Sequence, residues 1–220
     1  LVRFFLIALV GFTVAIVASA RAAEGVDQLG RCSSANKVVT LPDGSVVSMG
    51  STGACSGQSD AGRRVLVKLD STGHLAEGFG RGGVLLLPVG SSPFRLSALP
   101  DGRLVLTESE TVTRLLADGS LDSGFGGDGT IDPGLTDFDG EPVLPEAVDV
   151  DGAGRLLLAG TAHLADGKAQ PVIRRYLPDG SPDPGFGTGG QVRSDFFNGN
   201  PEGHEVRVAG VGATADGSVI

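Results

Sequence analysis

The chain says one phrase three times. Gly73 to Leu85, Gly119 to Ile131 and Gly180 to Val192 each run Gly, five residues, Phe-Gly-x-x-Gly-x and an apolar residue, centred on Phe79, Phe125 and Phe186. A second phrase, Asp-Gly followed by apolar residues, alternates with it at Asp43-Gly44, Asp101-Gly102 and Asp216-Gly217, with a looser copy at Asp151 to Arg155. Two interleaved signals recurring every 46 to 63 residues specify a repeat architecture, in which one unit seldom makes a domain alone.

One repeat can be read strand by strand. Phe94 to Leu99 enters the turn Pro100-Asp101-Gly102, where Pro presets φ, Asp caps its own backbone and Gly accepts a left-handed conformation. Arg103 to Thr107 returns, Thr111 to Leu116 alternates, and a fourth short strand is expected around Thr130-Ile131. Four short antiparallel strands with Gly-bearing turns make the unit of a β-propeller blade. The runs Val38-Val39, Val46-Val47, Val65 to Leu69, Val84 to Leu87, Leu104 to Leu106, Leu156 to Leu158 and Val172-Ile173 supply β-prone segments of suitable length. A β-solenoid would want shorter, uniform repeats, and a two-sheet sandwich would not need the turn phrases in a fixed order.

These residues resemble the delta-60 repeat, a bacterial family of propeller-like repeats. The likeness is clearest from Arg175-Tyr176-Leu177-Pro178-Asp179-Gly180-Ser181 through Phe186-Gly187-Thr188-Gly189-Gly190-Gln191-Val192, then in Arg114 to Gly129 and Ala98 to Leu106. Lys68 to Gly83 is a weaker copy, with Thr72 for the turn Asp and Ala76 for the acid found at Asp122 and Asp183. The resemblance covers residues from about 38 to 220. It implies propeller-like architecture and transfers no catalytic residue.

The fold expected is therefore all-β, with β-propeller-like repeats of four-stranded blades at approximately 32–89, 90–134, 135–196 and a truncated 197–220. The last phrase stops after Val219-Ile220, where earlier copies continue into a strand. About three and a half blades form an incomplete ring, so missing C-terminal blades or self-association are expected to complete it.

Address is read at the N-terminus. Arg3, the apolar stretch Phe4 to Val17, and Ala18-Ser19-Ala20 or Ala20-Arg21-Ala22 have the order of a signal peptide, placed at residues 1–23; an uncleaved anchor is the alternative. The chain has 36 Gly but is 40% hydrophobic, which argues for ordered short strands rather than disorder. Its formal net charge is −9, and losing Arg3 and Arg21 makes it more acidic still. That field excludes nucleic acid and, after cleavage, anionic membrane surfaces as partners. The expected location is extracellular or periplasmic. There Cys32 and Cys55 are expected to form a disulfide, worth about 3 kcal/mol in the chain-entropy model, with two buried thiols as the alternative.

Recurrence separates scaffold from function. Lys68, Arg114 and Arg175 precede Phe79, Phe125 and Phe186 by the same offset, and Asp122 and Asp183 fall between, so an intrablade ion pair and a core ring are expected in the repeats. The unrepeated features are His74, His163, His204, the insertion Leu135 to Glu146 and the segment Phe196 to Glu205. The histidines fall at different places in their repeats and read as exposed loop residues. Acidic runs at Asp137 to Glu141 and Asp149 to Gly152 invite calcium but lack the full calcium-loop pattern and read as solvated turns. No catalytic, cofactor-binding or metal residue is nominated, and no cofactor is expected. The leading functional reading is a secreted, non-enzymatic scaffold binding an envelope glycan or protein. The alternative is an enzyme with its site in a central channel, a lyase, hydrolase or quinone-dependent dehydrogenase, part of that site lying in missing blades.

Overall fold

The computed structural model describes residues 32–53, 64–87, 95–108, 110–137, 139–164, 169–193, 208–214 and 218–219. The stretch 1–23, Cys55, His204, the segment 196–205 and the phrase Asp216-Gly217 lie outside the described residues. Cys32 begins a strand, but its side chain is likewise outside what is described.

The described residues are all-β, in three four-stranded sheets whose neighbours follow chain order. The chain divides into two units, residues 1–38 with 45–90 and residues 39–44 with 91–220. The first unit carries most of the sheet β1 (Cys32–Thr40), β2 (Val46–Gly53), β3 (Arg64–Leu69) and β4 (Val84–Leu86). β2 pairs antiparallel with β3 from Val46 opposite Leu69 to Ser51 opposite Arg64, and β3 pairs with β4. Val65, Val67 and Val84 form a small apolar cluster there, with Leu69, Leu75 and Leu86 against it.

The second unit holds two sheets. One is β5 (Arg95–Ala98), β6 (Leu104–Thr107), β7 (Val112–Leu115) and β8 (Thr130–Ile131); the other is β9 (Ala147–Val150), β10 (Leu156–His163), β11 (Ala169–Tyr176) and β12 (Gln191–Arg193). Two of the turn phrases make tight hairpins here: Leu99 N–H donates to the Arg103 carbonyl at 2.8 Å and Asp151 N–H to the Arg155 carbonyl at 3.0 Å. β6 is buried along its whole length, and β10 all but its last residue. Both faces of these strands are covered, which is why they read as continuous apolar runs rather than alternating ones. Val105, Val112 and Phe125 of one sheet share a core with Leu158, Val172 and Tyr176 of the other.

The strands expected from the apolar runs differ from the observed ones only at their ends, whereas β9 and β12 were not expected and Asp149 and Val150, read as part of a turn, lie in β9. A larger departure is the insertion Leu135 to Glu146, which read as an unrepeated loop but sends Leu135 and Val143 into this core, 2% and 7% exposed. Val143 N–H donates to the Leu135 carbonyl at 2.9 Å, so the segment folds back as a small hairpin. His163 also departs from its reading, ending β10 rather than lying in a loop, although it is exposed.

Candidate functional site

The recurring charged residues converge on one constellation in each sheet of the second unit. Arg114 projects from β7, the turn after it carries Asp122, and Phe125 follows. Arg114 Nε donates to Asp122 Oδ2 at 2.7 Å, and its guanidinium carbon lies 4.5 Å from the Phe125 ring centre. Asp122 Oδ1 accepts the Gly124 N–H at 3.0 Å. In the other sheet, Arg175 Nε donates to Asp183 Oδ2 at 2.7 Å, the Gly185 N–H reaches Asp183 Oδ1 at 2.9 Å, and Arg175 lies 4.4 Å from the Phe186 ring centre. In the first unit, Lys68 replaces Arg and its Nζ is 5.9 Å from the Phe79 ring centre, with Ala76 where the acid would stand.

A second arginine joins each carboxylate, and the sequence reading missed it. Arg103, just after the Asp101-Gly102 turn, bonds Asp101 Oδ2 at 2.6 Å and Asp122 Oδ2 at 2.8 Å. Arg155 bonds Asp151 Oδ2 at 2.6 Å and stands 3.8 Å from Asp183 Oδ2. The two repeated phrases are thus tied together by an arginine. Its signal was present, since an Arg closes both turns, Asp101-Gly102-Arg103 and Asp151 to Arg155.

Electrostatics follow from this packing. Burial works to raise the Asp122 carboxyl, but Arg103, the Gly124 N–H and Arg114 outweigh it and hold it below the ordinary carboxylate range. For Asp183 the Gly185 N–H leads in the same direction, with Arg175 and Arg155 supporting it against burial. Burial, and then the like charge of Arg103, draw Arg114 below the usual arginine value.

The recurring rings are not equal. Phe79 and Phe125 are each 1% exposed, whereas Phe186 is only half-buried, so the expectation of a core ring in every copy does not extend to Phe186. What covers Phe125 is the turn Pro178-Asp179-Gly180 of the neighbouring sheet. Arg114 Nη1 donates to the Pro178 carbonyl and Gly126 N–H to the Asp179 carbonyl at 2.9 Å. Gly180, at φ 88°, is pressed so close that an added Cβ would stand 3.0 Å from Phe125 Cδ2 and 2.9 Å from Ile131 Cγ2. Only a residue without a side chain can seat there.

The acidic runs read as solvated turns are not solvated: Asp137 and Asp151 cap turns while 7% and 4% exposed, and Asp149 lies on β9. Asp137 Oδ1 accepts the Asp139 and Glu141 N–H groups at 2.9 Å each, and Asp151 Oδ1 accepts those of Ala153 and Arg155. Asp149 Oδ2 accepts the Ala213 N–H at 2.9 Å. His74 Nδ1 lies 2.8 Å from the Thr72 hydroxyl in an exposed turn. Asp101 meets Arg103, and Gly44 and Gly102 hold φ of 79° and 86° in their turns. Among the described residues no group of three or more His, Cys, Asp or Glu side chains is placed to hold a metal ion, and no helix is long and apolar enough to cross a membrane.

Residues 154–186 match a family described as a beta-propeller domain of unknown function (DUF5122). The match runs from the Asp151 to Arg155 turn through β10 and β11 to Asp183 and Phe186, so it contains one whole Arg-Asp-Phe constellation. It supports a β-propeller repeat, in agreement with the four-stranded antiparallel sheets. No curated protein matches the chain.

Proposed function

We propose that this is an exported repeat protein of the delta-60 type whose blades form a non-enzymatic scaffold, binding an envelope glycan or protein through the loops between strands. The observation that carries the reading is the use made of the recurring charges. Arg103, Arg114 and Asp122, like Arg155, Arg175 and Asp183, bond to one another inside the sheets, so the polar chemistry that repeats holds blades together. Function then falls to residues outside the repeat, displayed on a rigid frame. Export is supported by the order of Arg3, the apolar stretch and the small residues before Glu24.

The test is a glycan and envelope-protein binding array run beside a hydrolase, lyase and quinone-dehydrogenase panel on the full chain. Specific binding without turnover, unchanged when His74, His163 or His204 is replaced by Ala, is the expected result. Turnover abolished by one of those replacements overturns the scaffold reading.

A further inference from the structure

Within the second unit the contact between neighbouring sheets is a plug in a socket. The plug is the turn Leu177 to Ser181, and the socket is Phe125, Ile131, the Gly126 N–H and Arg114. The same socket recurs on the third sheet, and among the described residues nothing fills it. There Phe186 is half-buried, Val192 is 36% exposed in the position of Ile131, and the Gly187 N–H has no acceptor among the described residues. Arg175, the counterpart of Arg114, likewise reaches no carbonyl among the described residues. The hydrogen bonds of Val208 and Ala213 go to Glu146, Thr161 and Asp149, none of which lines this socket.

The chain also carries an unseated plug. The turn Asp70 to His74 has the frame of Leu177 to Ser181: Gly73 N–H donates to the Asp70 carbonyl at 3.0 Å and Asp70 N–H to the His74 carbonyl at 2.8 Å, against 2.9 and 2.8 Å in the seated turn. Gly73 has φ 86° beside 88° for Gly180. An added Cβ on Gly73 would meet nothing within 4 Å, whereas one on Gly180 would strike Phe125 and Ile131. The carbonyls of Ser71 and Thr72, counterparts of Pro178 and Asp179, accept no hydrogen bond among the described residues.

We propose that the socket formed by Phe186, Val192, Gly187 and Arg175 receives the Asp70–His74 turn of a second copy of this chain, giving head-to-tail association. The contact observed between the two sheets of the second unit is the template. Two backbone carbonyls meet an arginine and a glycine N–H, and a glycine lies flat on the ring and the β-branched side chain. A chain bearing both halves of such a contact makes a heterologous interface, which extends into open arrays or closes as a ring. One latch is smaller than a standard interface, so association belongs at high protein concentration.

The test is a complementation measured by sedimentation on the full chain over a concentration series. Val192→Glu puts a long charged side chain where the plug's glycine would lie. Gly73→Asn blocks the plug with a Cβ yet keeps the turn, because Asn tolerates positive φ. Circular dichroism checks folding, and Val192→Thr replaces Val192→Glu if the latter does not fold. Wild type is expected to form species beyond the monomer. Each variant alone should weaken association at least tenfold, and an equimolar mixture should recover a 1:1 dimer, since one intact plug and one intact socket remain. Three results overturn the proposal: a wild type that stays monomeric, variants that associate as wild type does, or a mixture that fails to pair.

Discussion

Arg114 keeps its charge with 4% of its surface exposed because Asp122 and the face of Phe125 replace the water it has lost. Removing one partner from such a pair costs more than the pair contributes, since the survivor is left charged and dry. Asp122→Asn is therefore predicted to destabilise the protein by about 3 kcal/mol, read as a lower urea midpoint. Arg114→Met in the same background should restore part of the loss, and a double mutant as unstable as the sum of the singles would contradict the coupling. The pair also sets an acid limit. Asp122 and Asp183 are held below the ordinary carboxylate value when folded, so the unfolded chain binds more protons between the folded and unfolded values. Stability then rises with pH through that window: the contribution is fully present above about pH 4 and is lost as pH falls through the folded value. A Tm-against-pH curve should fall on that acid limb, less steeply in Asp122→Asn. The ion pairs were legible in the sequence because cation, acid and ring recur at fixed offsets. Arg103 and Arg155 were harder to see: their turns share one five-residue frame, Leu99 to Arg103 and Asp151 to Arg155, but the acid that each arginine meets stands two residues before it in one and four in the other.

At the scale of the element, the Phe-Gly dipeptide is a backbone requirement. Gly126 holds φ 65° and an added Cβ would overlap the Thr130 carbonyl, so the loop can turn tightly under its ring only without a side chain. Gly180 adds the requirement of the neighbouring sheet. Gly127, at φ 92° with nothing within 4 Å of an added Cβ, isolates the two effects. Gly127→Ala should cost about 1 kcal/mol of left-handed strain alone, while Gly180→Ala should cost about 1–3 kcal/mol more for overpacking Phe125 and Ile131. Equal losses in urea unfolding would mean that the seat contributes nothing to stability. The strands were legible because β6 and β10 are apolar runs bounded by Gly turns. The insertion Leu135 to Glu146 was not: it has no repeat copy, its apolar residues are diluted by acids, and its holding contacts are distant in sequence. Gln191 Nε2 donates to the Thr136 carbonyl at 2.8 Å, the Arg174 guanidinium bonds the Gly134 carbonyl, and the Tyr176 hydroxyl donates to the Pro133 carbonyl.

For the whole molecule, blade-type sheets could be read because repetition amplifies a weak local signal three times, whereas address and redox state each rest on a stretch that occurs once. The order of Arg3, Phe4 to Val17 and Ala18-Ser19-Ala20 predicts a mature chain beginning between Arg21 and Glu24 outside the cytoplasm. The same location predicts the state of Cys32 and Cys55, because an oxidising compartment drives two thiols in one chain toward a bridge that closes a short loop. One experiment reads both: the protein is expressed with its own N-terminus in a bacterial host, the cells are fractionated, and each fraction is alkylated without reductant and weighed intact. Exported chain should have the shortened N-terminus and no alkylated cysteine, while any chain kept in the cytoplasm should retain Leu1 and carry two labels. Full-length chain in the membrane fraction would favour an anchor, and shortened exported chain with two labelled thiols would rule out the bridge while leaving export intact. The two expectations therefore fail separately, even though the second borrows its compartment from the first.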